Sequence, residues 1–346
     1  MNRFRSSIVA LVVSCASVVF SLSLSFVVVL ANHASPKLVF AALYSGSLGS
    51  WDNFGETLTK AIPLCLVGIG ISLAFRARMW NIGGEGQLLL GAITCAAVGN
   101  LLKGHLPASA VIPIELVAGA LSGSLWAGIA GVLKIRRGVP EVITTIMLNF
   151  IAAELISYLV HGPLQEHTHA QPATEPLPNT LMLPQLSNTS SLHGGIFIVI
   201  VLVVLTSVWL ATTRNGFKLK VVGANDVAAH IYGYNVGSLR LGAMLFSGMF
   251  CGLAGAIELS GVLGQVYESY SPGYGFTGIA TALIGRLNPF GILASSVFMG
   301  ALYSGSGNME RDAHVSAGLV NVIQGLILLS LLVGQFIQFR NYSNRT

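Results

Sequence analysis

Between two apolar runs long enough to cross a bilayer, the chain places the segment MWNIGGEGQLLLGA, Met79–Ala92. Asparagine, glutamate, glutamine and four glycines stand there where lipid would leave backbone and side-chain polar groups without partners. Irregular backbone at membrane depth is tolerated only when protein or a water-filled cavity surrounds it. Asn81, Glu85 and Gln87 therefore read as part of a transport path or of a tight turn at its edge. A solvated, glycine-rich loop is the plainer alternative.

Composition fixes the class. Of the 346 residues, 53% are hydrophobic and 9% charged, against about a quarter charged in soluble domains. No stretch is polar enough for a soluble domain, so one membrane domain over 1–346 is expected. Spans of about 20 apolar residues fall at Ile8–Leu30, Leu58–Phe75, Gln87–Leu102, Ala110–Leu133, Val142–Val160, Gly195–Ala211, Leu241–Leu263, Tyr267–Gly285, Phe290–Tyr303 and Ala317–Phe339. The fold class expected is an all-α polytopic membrane protein of about ten transmembrane helices, some broken. The eighth span has the weakest apolar signal and is kept as a broken crossing, because YESYSPGYG is turn-rich and a short helix starts near Phe276.

The basic residues orient the spans. With the N-terminus cytoplasmic, fourteen lie inside (Arg3, Arg5, Arg76, Arg78, Lys134, Arg136, Arg137, Arg214, Lys218, Lys220, Arg240, Arg286, Arg340 and Arg345). Four lie outside (Lys37, Lys60, Lys103 and Arg311), which accounts for all 18. The longest external loop, 161–194, has neither Lys nor Arg. Both termini are thus expected in the cytoplasm. The 23-residue first span exceeds a signal-peptide core and reads as uncleaved. No basic cluster is long enough to track a phosphate backbone, so nucleic acid is not an expected partner; membrane lipid is.

No nucleotide-binding glycine loop, zinc spacing or nucleophile–base arrangement occurs, so neither catalysis nor a cofactor or metal is expected. Cys15, Cys65, Cys95 and Cys251 lie within spans and read as small packing residues. The cytoplasmic loop 214–238 contains Asn225, Asp226, Ala228, Ala229, Tyr232 and Gly233 in a short helix, capped by Asn225 or Asp226 and stopped by Gly233. Its small residues suit a groove on a partner protein, or else the helix is a connector lying on the membrane surface.

Glu141, Thr145 and Asn149 are spaced i, i+4, i+8 and form one polar stripe on the fifth span. A stripe there faces the bundle interior, either linking helices or lining a path. Glu154 sits on a different face; Glu115 and Glu258 also fall in or near apolar spans and are either functional or paired structural groups. The segment Gly273–Ser306 is dense in small residues, with Tyr274, Phe276 and Thr277 at its break. Close packing explains such glycines, as at Gly119/Gly123 and Gly248/Gly252. A gap mouthed by aromatics would also suit a flat, uncharged solute.

Three segments, NIGGEGQ at 81–87, PEVITTIMLN at 140–149 and GFTGIATALIGRLNPFGI at 275–292, together with the 225–233 loop, are similar to permease subunits of ABC importers. The family is the ribose/branched-chain amino acid permease superfamily, and the likeness is to its nucleoside and simple-sugar branch. It spans roughly Leu58 to Gly334. The loop resembles the coupling-helix consensus, Glu-Ala-Ala followed by Gly, except that Val227 stands in the glutamate position and Asp226 one residue earlier. The resemblance implies a permease driven by separate ATPase subunits that dock at the coupling helix. It also implies a second permease subunit, a different chain, an external substrate-binding lipoprotein, and a bacterial inner membrane. Nucleoside is the implied solute, with a pentose or hexose next. The rival class is a secondary transporter coupled to H⁺ or Na⁺, motivated by Glu115, Glu154 and Glu258; a non-transporting scaffold is a third.

Overall fold

The computed structural model describes residues 35–313 throughout and single positions from 23 to 30 and from 315 to 333. The first and tenth expected spans, and Cys15, lie outside the continuously described residues. The described residues form two compact units, one of 1–57 with 298–346 and one of 58–297. Among them the structure is helical, with isolated β-bridges only.

In the first unit, helix α1 (Pro36–Leu48) begins with proline at its first position, where no amide is needed. It occupies what the sequence left as an external loop; its 13 residues are too few to cross a bilayer. Small residues seat it: a Cβ on Gly46 would stand 2.7 Å from the Asn308 side chain. Ser304 Oγ donates to the Gly46 carbonyl at 2.9 Å.

The second unit carries the bundle. Its helices are α2 (Trp51–Arg76, entering from the first unit), α3 (Gly84–Leu102), α4 (Ala108–Arg137), α5 (Glu141–Val160), α6 (Gly195–Thr212), α7 (Arg214–Ala224), α8 (Asp226–Ile231), α9 (Val236–Glu258), α10 (Tyr274–Ile284) and the start of α11 (Pro289–Asp312), whose residues from 298 on belong to the first unit. Helix α9 continues as a π turn, Leu259–Leu263, closed by Gly264 at φ 70°. Among the described residues, six helices are long and apolar enough to cross a membrane: α2, α3, α4, α5, α6 and the α9–π segment. The chain is therefore a multi-pass membrane protein.

The eighth expected span contracts to the 11 residues of α10. Pro272 cannot donate in a helix and Gly273 turns at φ 88°, so helix starts only at Tyr274. Helix α3 starts earlier than expected, at Gly84, taking Glu85 and Gln87 into its first turn.

Glycine sets the spacing of α3, α4 and α9. A Cβ on Gly91 would meet the Gly252 backbone, one on Gly123 the Gly248 carbonyl, and one on Gly255 the Leu88 carbonyl. The Gly119/Gly123 and Gly248/Gly252 pairs read from sequence are thus the contact points between backbones. Without a hydrophobic drive between helices in lipid, such close approach is what holds them.

The 161–194 loop is folded back on the bundle. Thr174 N donates to Val266 O (2.8 Å), Leu177 N to Gly264 O (2.7 Å) and Leu183 N to Ser260 O (2.7 Å). His193 is buried at its end, with Nδ1 accepting from the Gly195 amide at 3.2 Å. Its ring fills the space beside Gly261, where a Cβ would collide with it.

This packing sets two expected outcomes. Gly252→Val should prevent a folded, monodisperse protein, whereas Gly242→Ala, with nothing within 4 Å of the added methyl, should leave yield and thermal midpoint unchanged. The second concerns pH. Burial pushes the His193 imidazole from 6.5 down to about 4. The unfolded chain thus binds the proton first. The stability contributed by the neutral ring is full above about 6.5 and falls as pH drops towards about 4. Thermal midpoints measured across that range should decline less for His193→Gln than for the native chain.

Candidate functional site

Helix α2 ends where Arg78 takes a positive φ of 55° and the Met79 amide returns to Ala74 O at 3.0 Å. Residues 80–83 lie between the two helices, and side chains accept from three of their four amides, those of Trp80, Ile82 and Gly83. Asn81 is fully buried. Its Oδ1 accepts from the Gly83 amide at 2.9 Å, and its Nδ2 donates to Ser247 Oγ at 2.8 Å. The Asn81 and Gln87 amides also exchange a reciprocal pair of bonds, 2.9 Å each way.

The polar stripe of α5 meets this loop. Asn149 accepts from Gly86 N at 2.8 Å and donates to Ile82 O at 2.9 Å. Thr145 Oγ1 accepts from Ile82 N at 3.3 Å while donating to Glu141 O at 2.7 Å. Glu141 accepts from Trp80 N at 3.4 Å and pairs with Lys134 Nζ at 2.8 Å. The structure thus brings Asn81, Gln87, Glu141, Thr145 and Asn149 into one network. In it they act as links between helices, each amide committed to protein.

Glu85 does something different. Its carboxylate accepts from the Gly275 amide at 2.6 Å, and also from the Phe276 amide and the Ser271 hydroxyl. It is an N-terminal cap for α10, supplied by another helix. A negative group there meets the free amides and the positive end of the helix dipole. Gly275 is required by the closeness: a Cβ would fall on the Glu85 backbone. Beyond this contact Tyr274 is buried, Thr277 half-buried, and Phe276 is 50% exposed.

Helix α8 forms as expected. Asn225 Oδ1 accepts from the Val227 and Ala228 amides at 2.9 and 3.2 Å, and Gly233 comes after it at φ 76°. Ala229 is completely buried within its own chain, against Val222 and Val236. The face left open is Val227, Ile231 and Tyr232, the last two 79% and 74% exposed. Asp226 pairs with Arg240 at 2.6 Å, and Arg240 Nε donates to Ala77 O at 3.2 Å. Arg78 Nη2 donates to Ala224 O at 2.9 Å. The exposed helix is therefore bonded to the end of α2, directly before the buried loop.

Four partners in these networks were not singled out from sequence: Ser247, Ser271, Lys134 and Arg240. Lys134 and Arg240 counted there only as interior charges. Of the three other carboxylates, Glu154 is exposed on α5. Glu115 is buried with neither oxygen bonded, and Glu258 is buried with Oε2 unbonded. Cys65, Cys95 and Cys251 are buried free thiols. Among the described residues no cluster of His, Cys, Asp and Glu is arranged to hold a metal.

Residues 53–332 match the family described as branched-chain amino acid transport system / permease component. A glucose ABC transporter permease protein of Haloferax volcanii is 34% identical over 336 residues, covering 94% of this chain and 87% of that protein. A guanosine ABC transporter permease protein of Bacillus subtilis is 32% identical, covering 95% of each. A nucleoside ABC transporter permease protein of Lactococcus lactis is 29% identical, covering 96% of this chain and 92% of the other.

The Glu85 cap yields a direct expectation. Charge-assisted bonds contribute about 1.5–3 kcal/mol each, so Glu85→Ala should release the start of α10. In a background without native cysteines, Phe276→Cys should then react several times faster with a water-soluble thiol reagent, with Glu85→Gln intermediate. Equal rates in all three would mean that the carboxylate does not hold the helix.

Proposed function

The chain belongs to the branched-chain amino acid transport system / permease component family, and from that premise we propose that it carries a nucleoside inward as one permease of an ABC importer. The observation that carries the solute class is the pair of nucleoside-named relatives, which align over nearly the whole chain. The exposed Phe276 at the capped start of α10 supports it, since an aromatic face can stack on a flat base. A simple sugar is the second reading, favoured by the glucose permease at 34% identity.

In this reading about ten helices span a bacterial inner membrane as one permease domain, with both termini cytoplasmic. ATP is hydrolysed by separate subunits seated on Val227, Ile231 and Tyr232 of α8. A second permease, a different chain, completes the path, and an external lipoprotein delivers the solute. Phe276 and Thr277 stand at the path. Asn81, Gln87, Glu141, Thr145 and Asn149 shape its wall by fixing the 79–83 loop, and Glu85 positions α10. Movement at α8 reaches the loop through Asp226, Arg240 and the Ala77 carbonyl. Contacts of stacking and single hydrogen bonds, about 0.5–1.5 kcal/mol each, bind weakly enough for solute to leave.

The test is uptake by the complete complex in liposomes, with and without ATP and with and without an ion gradient. ATP-dependent uptake of guanosine or adenosine in preference to glucose and ribose is expected. Ile231→Arg should abolish it by releasing the ATPase subunits, with the permease still inserted. Preference for a sugar would replace the solute; uptake that needs a gradient and ignores ATP would replace the mechanism.

A further inference from the structure

Helix α6 is the most apolar of the spanning helices and among the least covered, with a mean hydropathy of 2.6 and 28% of it buried. Val201, Leu205 and Val208 stand exposed along it. Where it ends, the chain turns at Thr213 into α7, and the corner forms an open cleft of about 310 Å³. Arg214, Phe217, Lys218 and Tyr234 line that cleft. Arg214 and Lys218 are one helical turn apart and face the same side, with Phe217 59% exposed beside them. The other face of α7, Gly216, Leu219 and Val222, is buried.

The polar groups of the cleft divide into committed and uncommitted. The Thr212 hydroxyl donates to Val208 O at 2.8 Å. That of Thr213 donates to Trp209 O at 2.7 Å and accepts from Gly216 N. Lys218 Nζ lies 5.7 Å from the centre of the Tyr234 ring. No acidic side chain pairs with Arg214 or Lys218 among the described residues. Two cations therefore converge on a cleft beside an exposed, apolar helix face.

We propose that this cleft holds the phosphodiester headgroup of an anionic phospholipid. Arg214 and Lys218 contact the phosphate, Phe217 sits at the acyl boundary, and the chains lie along α6. An aromatic and two basic residues on the exposed face of a short helix at the end of a span match the chemistry of interfacial binding. A net negative headgroup is preferred because a zwitterionic one brings its own cation against Arg214 and Lys218. Tyr234, at the cleft wall, packs against the Val222–Ala229–Val236 cluster behind α8. The bound lipid thereby braces the exposed helix.

The test is native mass spectrometry of the full chain in detergent supplemented with phosphatidylglycerol or phosphatidylcholine. The native chain should retain phosphatidylglycerol in preference to phosphatidylcholine. The double variant Arg214→Gln/Lys218→Gln should lose roughly thirtyfold in retention, from the attraction of two basic residues to an anionic lipid. Arg214→Lys should keep most of it, and Arg136→Gln/Arg137→Gln, a basic pair elsewhere, should match the native chain. Undiminished retention by the first double variant would overturn the proposal. Displacement of the lipid by equal concentrations of glycerol phosphate would also overturn it, by making this a soluble-anion site. The measurement involves no transport, so its outcome is separate from that of the solute assignment.

Discussion

A stretch of backbone without helical hydrogen bonds can lie among membrane helices only if something else satisfies it. Here that something is a set of amides and hydroxyls on side chains. Asn149 holds the Ile82 carbonyl and the Gly86 amide at 2.9 and 2.8 Å, and Asn81 takes the Gly83 amide at 2.9 Å. Each replaces a bond that water would make at a surface and that lipid cannot. The arrangement fixes where α3 starts, and so where Glu85 projects. Glu85 in turn fixes where α10 starts. One compensated break thus positions a second.

Glycine contacts make that geometry rigid. Because α3, α4 and α9 meet backbone to backbone at Gly91, Gly119, Gly123, Gly248 and Gly252, Ser247 on α9 comes within hydrogen-bond distance of Asn81. Larger residues would separate the helices and leave Asn81 with an unpaired donor, a cost of about 1–3 kcal/mol for a buried group. Small residues and polar links are therefore one device: the first brings helices close enough for the second to reach. The same reasoning gives Glu141 its salt bridge, since Gly138, at φ 68°, ends α4 and returns the chain so that Lys134 meets the first turn of α5.

Much of this was legible in the sequence, and the rest was hidden for identifiable reasons. The i, i+4, i+8 stripe, the glycine pairs, the break before α10 and the Asn225 cap depend on neighbours a few residues away, or on periods of a helix. The partners Ser247 and Arg240 depend on which helix lies beside which, and nothing local distinguishes them from other serines and basic residues. Helix α8 shows the limit clearly. Six residues are too few for a period to declare which face is inward, so Ala229 read as a partner contact although it is fully buried in its own chain. Helix α1 was missed because its 13 residues mix apolar with small polar ones, the composition of a loop.

The arginines at the α8 side show how one residue serves two constraints. Charge placement alone explains why they lie on that side of the membrane. It does not explain why Arg76 donates to the Leu287 carbonyl at 2.6 Å, Arg78 to that of Ala224, or Arg240 to that of Ala77. Those carbonyls belong to chain ends and turns, where helical donors run out. A guanidinium supplies several donors on one long stem and can hold two acceptors at once, as Arg240 does with the Ala77 carbonyl and the Asp226 carboxylate. The bonds join α8 to α2 two residues before the irregular loop. A displacement of α8 therefore has to move Ala77 or break a charge-assisted bond, and moving Ala77 shifts the backbone that Asn149 and Asn81 hold. The buried loop and the exposed helix are in this way parts of one linked element.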